Sequence, residues 1–489
     1  MYFSLIFLCI ILALCLIHYL YVTLVAFTYW KRRGVASEKP SYPLGNVKIS
    51  QIFHTPIETL LEDIYSRTKG PFMGYMLHTR PVLIIKDPEM INRILVKDFQ
   101  YFNSRIEVDL TNDPLFGSFF ILHDERWKLF RQKLSPIFAA NRLRGVFDSI
   151  ESKYNALEDY LMTGESLSLD FYTLMKRYLV NVMTSVLLGI DVDYLNNPND
   201  EIRLMTEEAI PPNTRTAFSF FFSLIAPGLK TKIKYNFFRR EVEDFVVGLV
   251  KSVMKLRVTK GTERFDFIHK LMELREDFPP EVLSAQVLVL VLAAYEGTGG
   301  TISYCLWELA KNPEIQAKAQ EEVDKVLQKH GKITLEALGE MTYIDNCLSE
   351  TLRLHPTLTF LIRRCNQDYH NDKYNLNIEK NTNIIIPLPG LHKDEQYYPD
   401  PHKFDPDRFL PEEKAKRPSG TYLPFGDGQR FCFGKQLAKL IDNYTVAKLL
   451  SRYSVTLGDK SHQEKITMKP LTPLLSPDGG CYLTLIERH

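Results

Sequence analysis

The stretch Pro424-Phe425-Gly426-Asp427-Gly428-Gln429-Arg430-Phe431-Cys432-Phe433-Gly434 carries the strongest signal in this 489-residue chain. Apolar residues recur at helical spacing directly after it, so it predicts a glycine-rich loop that ends where a helix begins. Cys432 would lie at that helix N-terminus, where free backbone N–H groups favour a thiolate and lower the pKa of the thiol. The glycines leave room for a flat ligand, and Arg430 is close enough to meet its acid group.

A buried and inert cysteine is the usual state of a lone Cys. Chance is a poor explanation here, because the same short segment combines Phe425, Gly428, Arg430, Cys432 and Gly434. The segment resembles the cysteine loop of the cytochromes P450, whose thiolate is the axial ligand of haem iron. The resemblance implies that Cys432 binds haem b (heme b, iron protoporphyrin IX), that Phe425 contacts it and that Arg430 pairs with a propionate. Gln429 and Phe433 depart from the commonest pattern, but neither change removes a ligand.

Composition excludes several other classes. The formal net charge of +1 gives no reason to expect a nucleic-acid partner. The 7 cysteines are scattered and odd in number, which does not indicate a disulfide framework and fits a reducing compartment. The chain has no zinc spacing, phosphate loop, dinucleotide fingerprint or nucleophile elbow.

The N-terminus predicts a membrane anchor. Residues 1–30 contain no Lys, Arg, Asp or Glu, and Lys31, Arg32 and Arg33 follow at once. Such a run is long enough to cross a bilayer, and the basic cluster should stay in the cytosol with the body of the protein. A cleaved secretory signal is the alternative, but a basic start and a clear cleavage site are missing. We therefore expect an anchor at 1–30, a basic and proline-rich hinge at 31–46 and a catalytic domain at 47–489, in the endoplasmic reticulum membrane as in the microsomal P450s.

Three further residues resemble haem-propionate ligands. Trp127 and Arg131 lie four apart on a predicted helix and hence on one face, and both side chains are donors suited to an anion. A stacked surface contact is the alternative. The pair matches the Trp-x-x-x-Arg motif of the P450 family, which binds propionates. In Leu361-Ile362-Arg363-Arg364-Cys365, Arg363 matches a third ligand of this kind.

Two segments are candidates for the substrate pocket. The loop from Asn103 to Asp124 carries apolar side chains that either pack down or, as in the P450s, lie over the haem. The patch Ala217 to Ile225 is too short to span a bilayer and is either core or a lid for entering substrates. The candidate pocket residues are Leu115, Phe116, Phe119 and Phe120 on the loop and Thr359, Phe360 and Leu361 beyond it.

Glu281 to Lys311 predicts one long helix that is apolar almost all round and belongs inside a large core. Within it stand Glu296 and three glycines, Gly297, Gly299 and Gly300, each of which costs a helix interior about 1 kcal/mol relative to alanine. A carboxylate in this setting must be paired or hydrated, which makes Glu296 a functional candidate. The alternative is a close helix crossing at the glycines, with Glu296 turned to a basic residue at the surface.

The same helix departs from the family it resembles. Residues 293–298 align with the P450 oxygen-activation motif, in which an acid is followed by a threonine, but here the threonine position is Gly297. Thr298 is turned about a quarter of the way round the helix, whereas Thr301 is on the same face one turn further, about 5.4 Å away. Thr298, Thr301 and a hydroxyl of the substrate are the candidates for holding the water that delivers protons. Ala294 adds a methyl group where glycine is usual.

A second motif predicts a structural brace. Glu350 and Arg353 are spaced like an ordinary surface ion pair on a helix. They resemble the Glu-x-x-Arg motif of the P450s, whose partner arginine matches Arg408. The resemblance implies that the three are buried together and support the cysteine loop.

Together these motifs cover almost the whole chain and most resemble insect P450s of the clan that handles hormones, plant toxins and insecticides. The resemblance implies a mainly α fold with a small β region (α+β), preceded by one transmembrane helix. It also implies a monooxygenase that acts on small apolar molecules. NADPH-cytochrome P450 reductase would supply electrons at the cysteine side, and cytochrome b5 is a further candidate partner. Positive charge for reductase docking would come from Lys128, Lys133, Lys435 and Lys439.

Two other functions stay open because of Gly297. A P450-type isomerase or dehydratase that acts on oxygenated substrates would not need the missing threonine. A haem-binding membrane protein that senses or sequesters a ligand would turn over little.

Overall fold

The computed structural model describes residues 2–106, 113–163, 168–226, 232, 235–261, 266–458, 466–470, 472 and 474–488. The helices are α1 (Tyr2–Leu20), α2 (Tyr29–Arg32), α3 (Ile49–His54), α4 (Ile57–Arg67), α5 (Pro88–Asn92), α6 (Asp124–Leu134), α7 (Ala140–Thr163), α8 (Phe171–Met183), α9 (Thr214–Ile225), α10 (Arg240–Lys260), α11 (Phe267–Met272), α12 (Pro280–Ala293), α13 (Gly299–Lys311), α14 (Pro313–His330), α15 (Leu335–Glu340), α16 (Thr342–Leu354), α17 (Leu388–His392), α18 (Pro411–Ala415) and α19 (Lys435–Arg452). The strands are β1 (Phe72–Leu77), β2 (Arg80–Ile85), β3 (Ser168–Asp170), β4 (Phe360–Arg364), β5 (Tyr369–Asn371), β6 (Leu376–Ile378), β7 (Asn383–Pro387), β8 (Tyr453–Leu457) and β9 (Tyr482–Glu487). Helices therefore dominate, which confirms the predicted mainly α fold with a small β region.

The main sheet has the strand order β1-β2-β7-β4. Strands β2 and β7 pair in parallel, and the outer pairs are antiparallel. Strands β3, β9 and β8 form a smaller sheet, and β5 pairs with β6. Successive side chains of a strand point to opposite faces, so Arg363 and Arg364 lie on opposite faces of β4. The strand is buried up to Arg363, and its last residue, Arg364, is partly exposed.

The long helix predicted at Glu281–Lys311 is observed as α12 and α13, joined by a π-helical turn at Ala294–Thr298. Of the apolar helical runs long enough to cross a membrane, this one is 78% buried, whereas the run at Ser4–Arg32 is 6% buried. Pro280–Lys311 is therefore a core helix and Ser4–Arg32 is the candidate membrane span. The π turn falls on Glu296 and Gly297, where the glycines weaken the α-helix, and such turns are frequent at functional sites.

The candidate span is attached to the rest of the fold before the predicted hinge begins. Trp30 is 2% exposed, and its Nε1 donates a hydrogen bond to the Tyr75 carbonyl of β1 at 2.9 Å. Gly74 makes this contact possible, because a Cβ there would lie 2.3 Å from the indole ring. Arg33 forms an ion pair with Glu379. The division at residues 30 and 46 stays a prediction, but packing on the catalytic domain starts within the segment assigned to the anchor.

Helices α8, α13, α16 and α19 pack together in the largest hydrophobic cluster. Helix α9 contains the aromatic patch that the sequence left open as core or lid. Its Phe222 is buried, whereas Phe218 is 49% exposed. A cavity of about 120 Å³ lies between α9, the helices α3 and α4 and the main sheet, with Ile52 and Phe220 among its lining residues.

Candidate cofactor site

The cysteine loop is closed by its own backbone. The Cys432 N–H donates to the Phe425 carbonyl at 2.8 Å, and α19 begins three residues later. Gly426 and Gly428 have φ values of +68° and +66°, which favour glycine. A Cβ on Gly428 would lie 1.8 Å from the Leu95 carbonyl oxygen. The predicted loop ahead of a helix is therefore observed, and glycine is required where the loop meets the Leu95 backbone.

The Cys432 side chain borders open space although protein surrounds it. A solvent probe reaches the residue. The surrounding protein nevertheless desolvates the thiol, and this burial raises its pKa above the usual value. The Gly434 N–H, Arg131, Arg105 and Lys435 oppose this rise without cancelling it. The lowered pKa expected from the helix N-terminus is therefore wrong for the protein alone, because desolvation outweighs the nearby positive charge. A bound metal cation would supply the positive charge that a thiolate needs there.

Arg430 lies at the centre of a group of guanidinium side chains. It is 4% exposed and donates to the carbonyls of Asn103 at 3.0 Å and Leu122 at 2.7 Å. Its guanidinium carbon lies 4.1 Å from the centre of the Trp127 ring. Burial, followed by repulsion from Arg363 and Arg131, lowers the pKa of Arg430 to about 9. Arg430 and Trp127 are thus held in contact, as expected for two residues that face the same ligand.

Arg105, Arg131 and Arg363 complete this group, which we call the arginine cluster together with Arg430. Burial lowers the pKa of Arg363 to about 10, and its buried Nε has no hydrogen-bond partner. The pKa of Arg105 is lowered well below its usual value, first by burial and then by Arg363 and Arg430. Within the described ranges no carboxylate forms an ion pair with any of the four. Several guanidinium groups that lie close together, one of them with an unused N–H donor, are suited to bind an anion that carries more than one charge. The two propionates of haem are such an anion.

The sequence did not single out Arg105. It donates to the Phe120 carbonyl at 2.6 Å and the Arg430 carbonyl at 3.1 Å, which carries its side chain to the cluster. Its chain neighbour Ser104 forms a β-bridge with Arg364, beside Arg363. This pairing joins segments about 260 residues apart, so no local spacing pointed to it. Phe425, also predicted to contact the cofactor, is partly buried with its ring centre 5.7 Å from the Lys435 ammonium.

Glu296 is neither unpaired nor at the surface. Its carboxylate accepts hydrogen bonds from the Lys176 ammonium at 2.8 Å and the Tyr172 hydroxyl at 2.9 Å. Lys176 is itself 9% exposed, so the pair is a partly buried one on α8 and the π turn. The expectation that this carboxylate must be paired is confirmed. The alternative is confirmed in part, because α8 crosses the long helix closely at Gly299, where a Cβ would lie 3.1 Å from Lys176 Cγ, but the basic partner of Glu296 is buried and not at the surface.

The two candidate threonines near Glu296 are both buried. Thr301 is 2% exposed and its Oγ1 donates to the Gly297 carbonyl at 2.8 Å, and Thr298 is 5% exposed. The place of the missing side chain at Gly297 is open, since a Cβ there would contact only Thr357 Oγ1, at 3.9 Å, among described atoms beyond its own helix and chain neighbours. The roles of Glu296, Thr298 and Thr301 stay predictions.

The loop from Asn103 to Asp124 is tied to the long helix by Gln286. This buried amide accepts from the Phe119 N–H at 2.6 Å and donates to the Gly117 carbonyl at 3.0 Å. The Phe119 ring lies 4.5 Å from that of Phe433 in the cysteine loop, so Phe119 is beside the site. Phe116 instead stacks on Phe237. Residues 107–112 of this loop lie outside the described part of the chain.

The predicted brace is confirmed. Glu350 and Arg353 are fully buried with a shortest N···O distance of 2.6 Å, and Arg408 Nε lies 3.4 Å from Glu350. Arg353 also donates to the His392 carbonyl at 3.0 Å. The His392 ring in turn accepts from the Leu423 N–H at 2.9 Å, just before the cysteine loop. The ion pair is therefore connected to the loop through hydrogen bonds.

A cysteine thiol beside a group of guanidinium side chains that suits two propionates fits a haem-thiolate site. The family model of the cytochromes P450 matches residues 44–484. Cytochrome P450 6d1 of Musca domestica is 30% identical over 94% of this chain and 96% of its own length. Cytochrome P450 6k1 of Blattella germanica is 32% identical over 96% and 94%, and probable cytochrome P450 6a13 of Drosophila melanogaster is 32% identical over 94% of each.

The chain belongs to the cytochrome P450 family, as the resemblance in its motifs indicated, and its relatives include insect enzymes. It is a haem monooxygenase, hence an oxidoreductase, with haem b as its cofactor. The family also implies a reductase as redox partner and apolar substrates. The apolar N-terminal helix is consistent with a membrane anchor.

Proposed function

We propose that this protein inserts one oxygen atom of O2 into a small apolar molecule with electrons that NADPH-cytochrome P450 reductase passes to it. The balanced reaction is RH + O2 + 2 electrons + 2 protons → ROH + H2O. The observation that carries the proposal is the position of Cys432 beside an arginine cluster that forms no ion pair with a carboxylate of the described residues. This combination suits an iron porphyrin with two carboxylates.

Each part of the site has a separate task. Bound haem supplies the iron that binds and reduces O2. The Cys432 thiolate would bind this iron, and Arg105, Arg131, Arg363 and Arg430 would hold the propionates. Trp127, under Arg430, fixes the orientation of that guanidinium. Phe425 supports the loop, because its carbonyl accepts the Cys432 N–H.

Proton delivery falls to the π turn. Glu296 is held by Lys176 and Tyr172 on the side of α8, from which it can order water near the open position at Gly297. Thr301 keeps its hydroxyl beside that position through its bond to the Gly297 carbonyl. Thr298 is the other hydroxyl on this turn. A threonine hydroxyl that donates to a carbonyl still accepts a hydrogen bond from water, so Thr301 can hold a water molecule beside this position without donating to it.

The substrate pocket is apolar. Phe119 lies next to the cysteine loop, and Thr359, Phe360 and Leu361 on and before β4 are largely buried. The cavity between α9 and the helices α3 and α4 supports entry of apolar molecules from the membrane side, with the exposed Phe218 at the surface. We place the protein in the endoplasmic reticulum membrane with its catalytic domain in the cytoplasm, because Lys31, Arg32 and Arg33 follow the apolar helix.

Reductase docking is assigned to the surface near the cysteine, with cytochrome b5 as a second possible donor. Lys128, Lys133 and Lys439 form ion pairs with Glu125, Glu273 and Asp345. Such surface pairs are weak, so an acidic partner can compete for these ammonium groups. Lys435 stands three residues after the cysteine and completes the basic surface.

The test is a carbon monoxide difference spectrum of the reduced protein, followed by product analysis with reductase, NADPH and apolar substrates. We expect thiolate-type absorption in the wild type, its loss in Cys432→Ser, and a hydroxylated product that requires NADPH. An absent thiolate band, or pigment binding unaffected by Cys432→Ser, overturns the haem-thiolate assignment.

Two other functions are separated by the same assays. Both are open because Gly297 stands at the threonine position. Conversion of an organic hydroperoxide without NADPH would favour an isomerase or dehydratase. A shift of the haem spectrum on ligand binding, with no product from any electron donor, would favour a ligand sensor. Either result contradicts the proposed monooxygenation and leaves the cofactor assignment intact.

A further inference from the structure

The space left by the missing side chain at Gly297 is bordered by a hydroxyl from another part of the chain. A Cβ on Gly297 would lie 3.9 Å from Thr357 Oγ1, and a Cβ on Gly300 would lie 3.4 Å from Thr357 Cγ2. Leaving aside the adjacent helix backbone and chain neighbours, Thr357 Oγ1 is the one described heavy atom within 4 Å of the first position. Thr357 therefore stands over the glycine face of the long helix.

Three hydroxyls on or beside this helix already have acceptors. Thr301 donates to the Gly297 carbonyl at 2.8 Å, and Ser303 donates to the Gly299 carbonyl at 2.7 Å. The Tyr172 hydroxyl donates to Glu296 at 2.9 Å. A hydroxyl has one hydrogen to give, so these groups cannot also donate to a ligand at the open position without breaking a bond.

Thr357 has backbone and side-chain contacts but keeps one side open. Its carbonyl accepts from the Leu475 N–H at 3.4 Å, and its methyl group faces Gly300. The residue is partly exposed although it lies between the long helix and β4. Its hydroxyl thus borders the space beside Gly297 and can donate into it.

We propose that Thr357 replaces the alcohol that the family motif places at position 297. Its hydroxyl holds a water molecule, or donates directly, beside the site where O2 is reduced. This inference rests on the proposed function. With protons delivered there, RH + O2 + 2 electrons + 2 protons gives ROH + H2O. When delivery fails, O2 + 2 electrons + 2 protons gives H2O2, and the electrons from NADPH are lost from product formation.

Thr357→Val removes the hydroxyl and keeps the shape of the side chain. In the full-length protein with reductase and NADPH, we expect the ratio of product to hydrogen peroxide to fall about fivefold, as for the loss of one hydrogen bond. Thr357→Ser should stay near wild type. The double variant Gly297→Thr with Thr357→Val should recover the ratio, because the alcohol returns on the helix. Thr351→Val, which removes a buried hydroxyl bonded to the Cys347 carbonyl at 2.8 Å, is the matched control and should behave as wild type.

A second measurement does not depend on turnover. The C–O stretching frequency of the reduced carbon monoxide complex reports hydrogen bonds to the bound gas, and it should shift in Thr357→Val but not in Thr351→Val. An unchanged product ratio and an unchanged frequency overturn the inference. A fall in the ratio that Gly297→Thr does not restore also overturns it, because Thr357 then acts only by contact with substrate. If Thr357→Val loses haem, Thr357→Ala is used for the same comparison. A wild type without thiolate-type absorption contradicts the proposed function instead.

Discussion

The Lys176 ammonium on α8 lies 2.8 Å from the Glu296 carboxylate, at the π turn that interrupts the long helix. The same ammonium lies 4.1 Å from the centre of the Tyr295 ring. Burial of the Glu296 charge at this turn would be unfavourable without a partner. Lys176, which is 120 positions away in the sequence, compensates it. The pair fixes the direction of the acid and leaves the face at Gly297 to hydroxyl groups.

Breaking this pair should destabilise the protein. Lys176→Met leaves the Glu296 charge without its partner in a partly buried place, and we expect a loss on the order of 3 kcal/mol in the free energy of unfolding. Urea unfolding of the haem-loaded protein measures it. Lys318→Met is the control, because the pair of Lys318 with Asp407 is about half exposed and should contribute less than about 1 kcal/mol. Equal losses in the two variants would contradict the structural role of the pair.

The arginine cluster should govern how tightly haem is held. Arg363→Leu removes a buried guanidinium with an unused donor, and we expect faster transfer of haem to an apoprotein acceptor. The matched variant is Arg364→Leu, because Arg364 points to the other face of β4 and donates to Asn381 at 2.7 Å. Its rate of haem transfer should equal that of the wild type. Equal acceleration in both variants would show that the effect comes from the strand and not from the cluster.

Gln286 should set the position of the loop that carries Phe119. Gln286→Glu puts a second acceptor against the Gly117 and Val282 carbonyls, and we expect a cost of about 1–3 kcal/mol from lost donors. Proteolysis between Asn103 and Asp124 should become faster, and binding of apolar ligands should weaken.

The matched control for the loop is Gln316→Glu. Gln316 is also a buried amide, and it donates to the Leu309 and Val455 carbonyls, away from the loop. This variant should lower overall stability without exposing the loop to protease. Faster cleavage in both variants would mean that Gln286 acts on global stability alone.

Asp442 should make stability depend on pH. Its carboxyl on α19 is buried with Oδ1 unbonded, and burial, only partly opposed by Lys439, raises its pKa well above the usual value. The folded state then binds more protons than the unfolded state above about pH 4, so this group lowers stability as the pH rises toward its folded pKa. Asp442→Asn should be more stable than the wild type at pH 7, and its advantage should shrink toward pH 4. Thermal midpoints across that range measure this, and an advantage independent of pH would contradict it.

Local motifs predicted much of the fold and the site. The cysteine loop, the buried Glu350, Arg353 and Arg408 brace and the long core helix were all evident, because each follows from spacing within a few residues or from an unbroken apolar run. The weak point of the helix at Gly297 was also evident, since glycines disfavour an α-helix wherever they stand.

What the sequence did not indicate depends on contacts between distant segments. Arg105 reaches the cluster through the pairing of Ser104 with Arg364, and Lys176 meets Glu296 through the packing of α8 on the long helix. The predicted direction of the pKa shift of the Cys432 thiol was wrong for the same reason. A helix N-terminus can be inferred locally, whereas the desolvation that outweighs it comes from the whole fold.

The notch that Gly74 provides for the Trp30 indole has a mechanical consequence. The Trp30 indole packs in this recess and is hydrogen-bonded to β1, which restricts rotation of the chain at the end of the apolar helix. A tilt of that helix is therefore transmitted to the edge strand of the main sheet. With this helix as the proposed membrane anchor, its tilt in the bilayer sets the angle at which the proposed substrate entrance beside α9 faces the lipid.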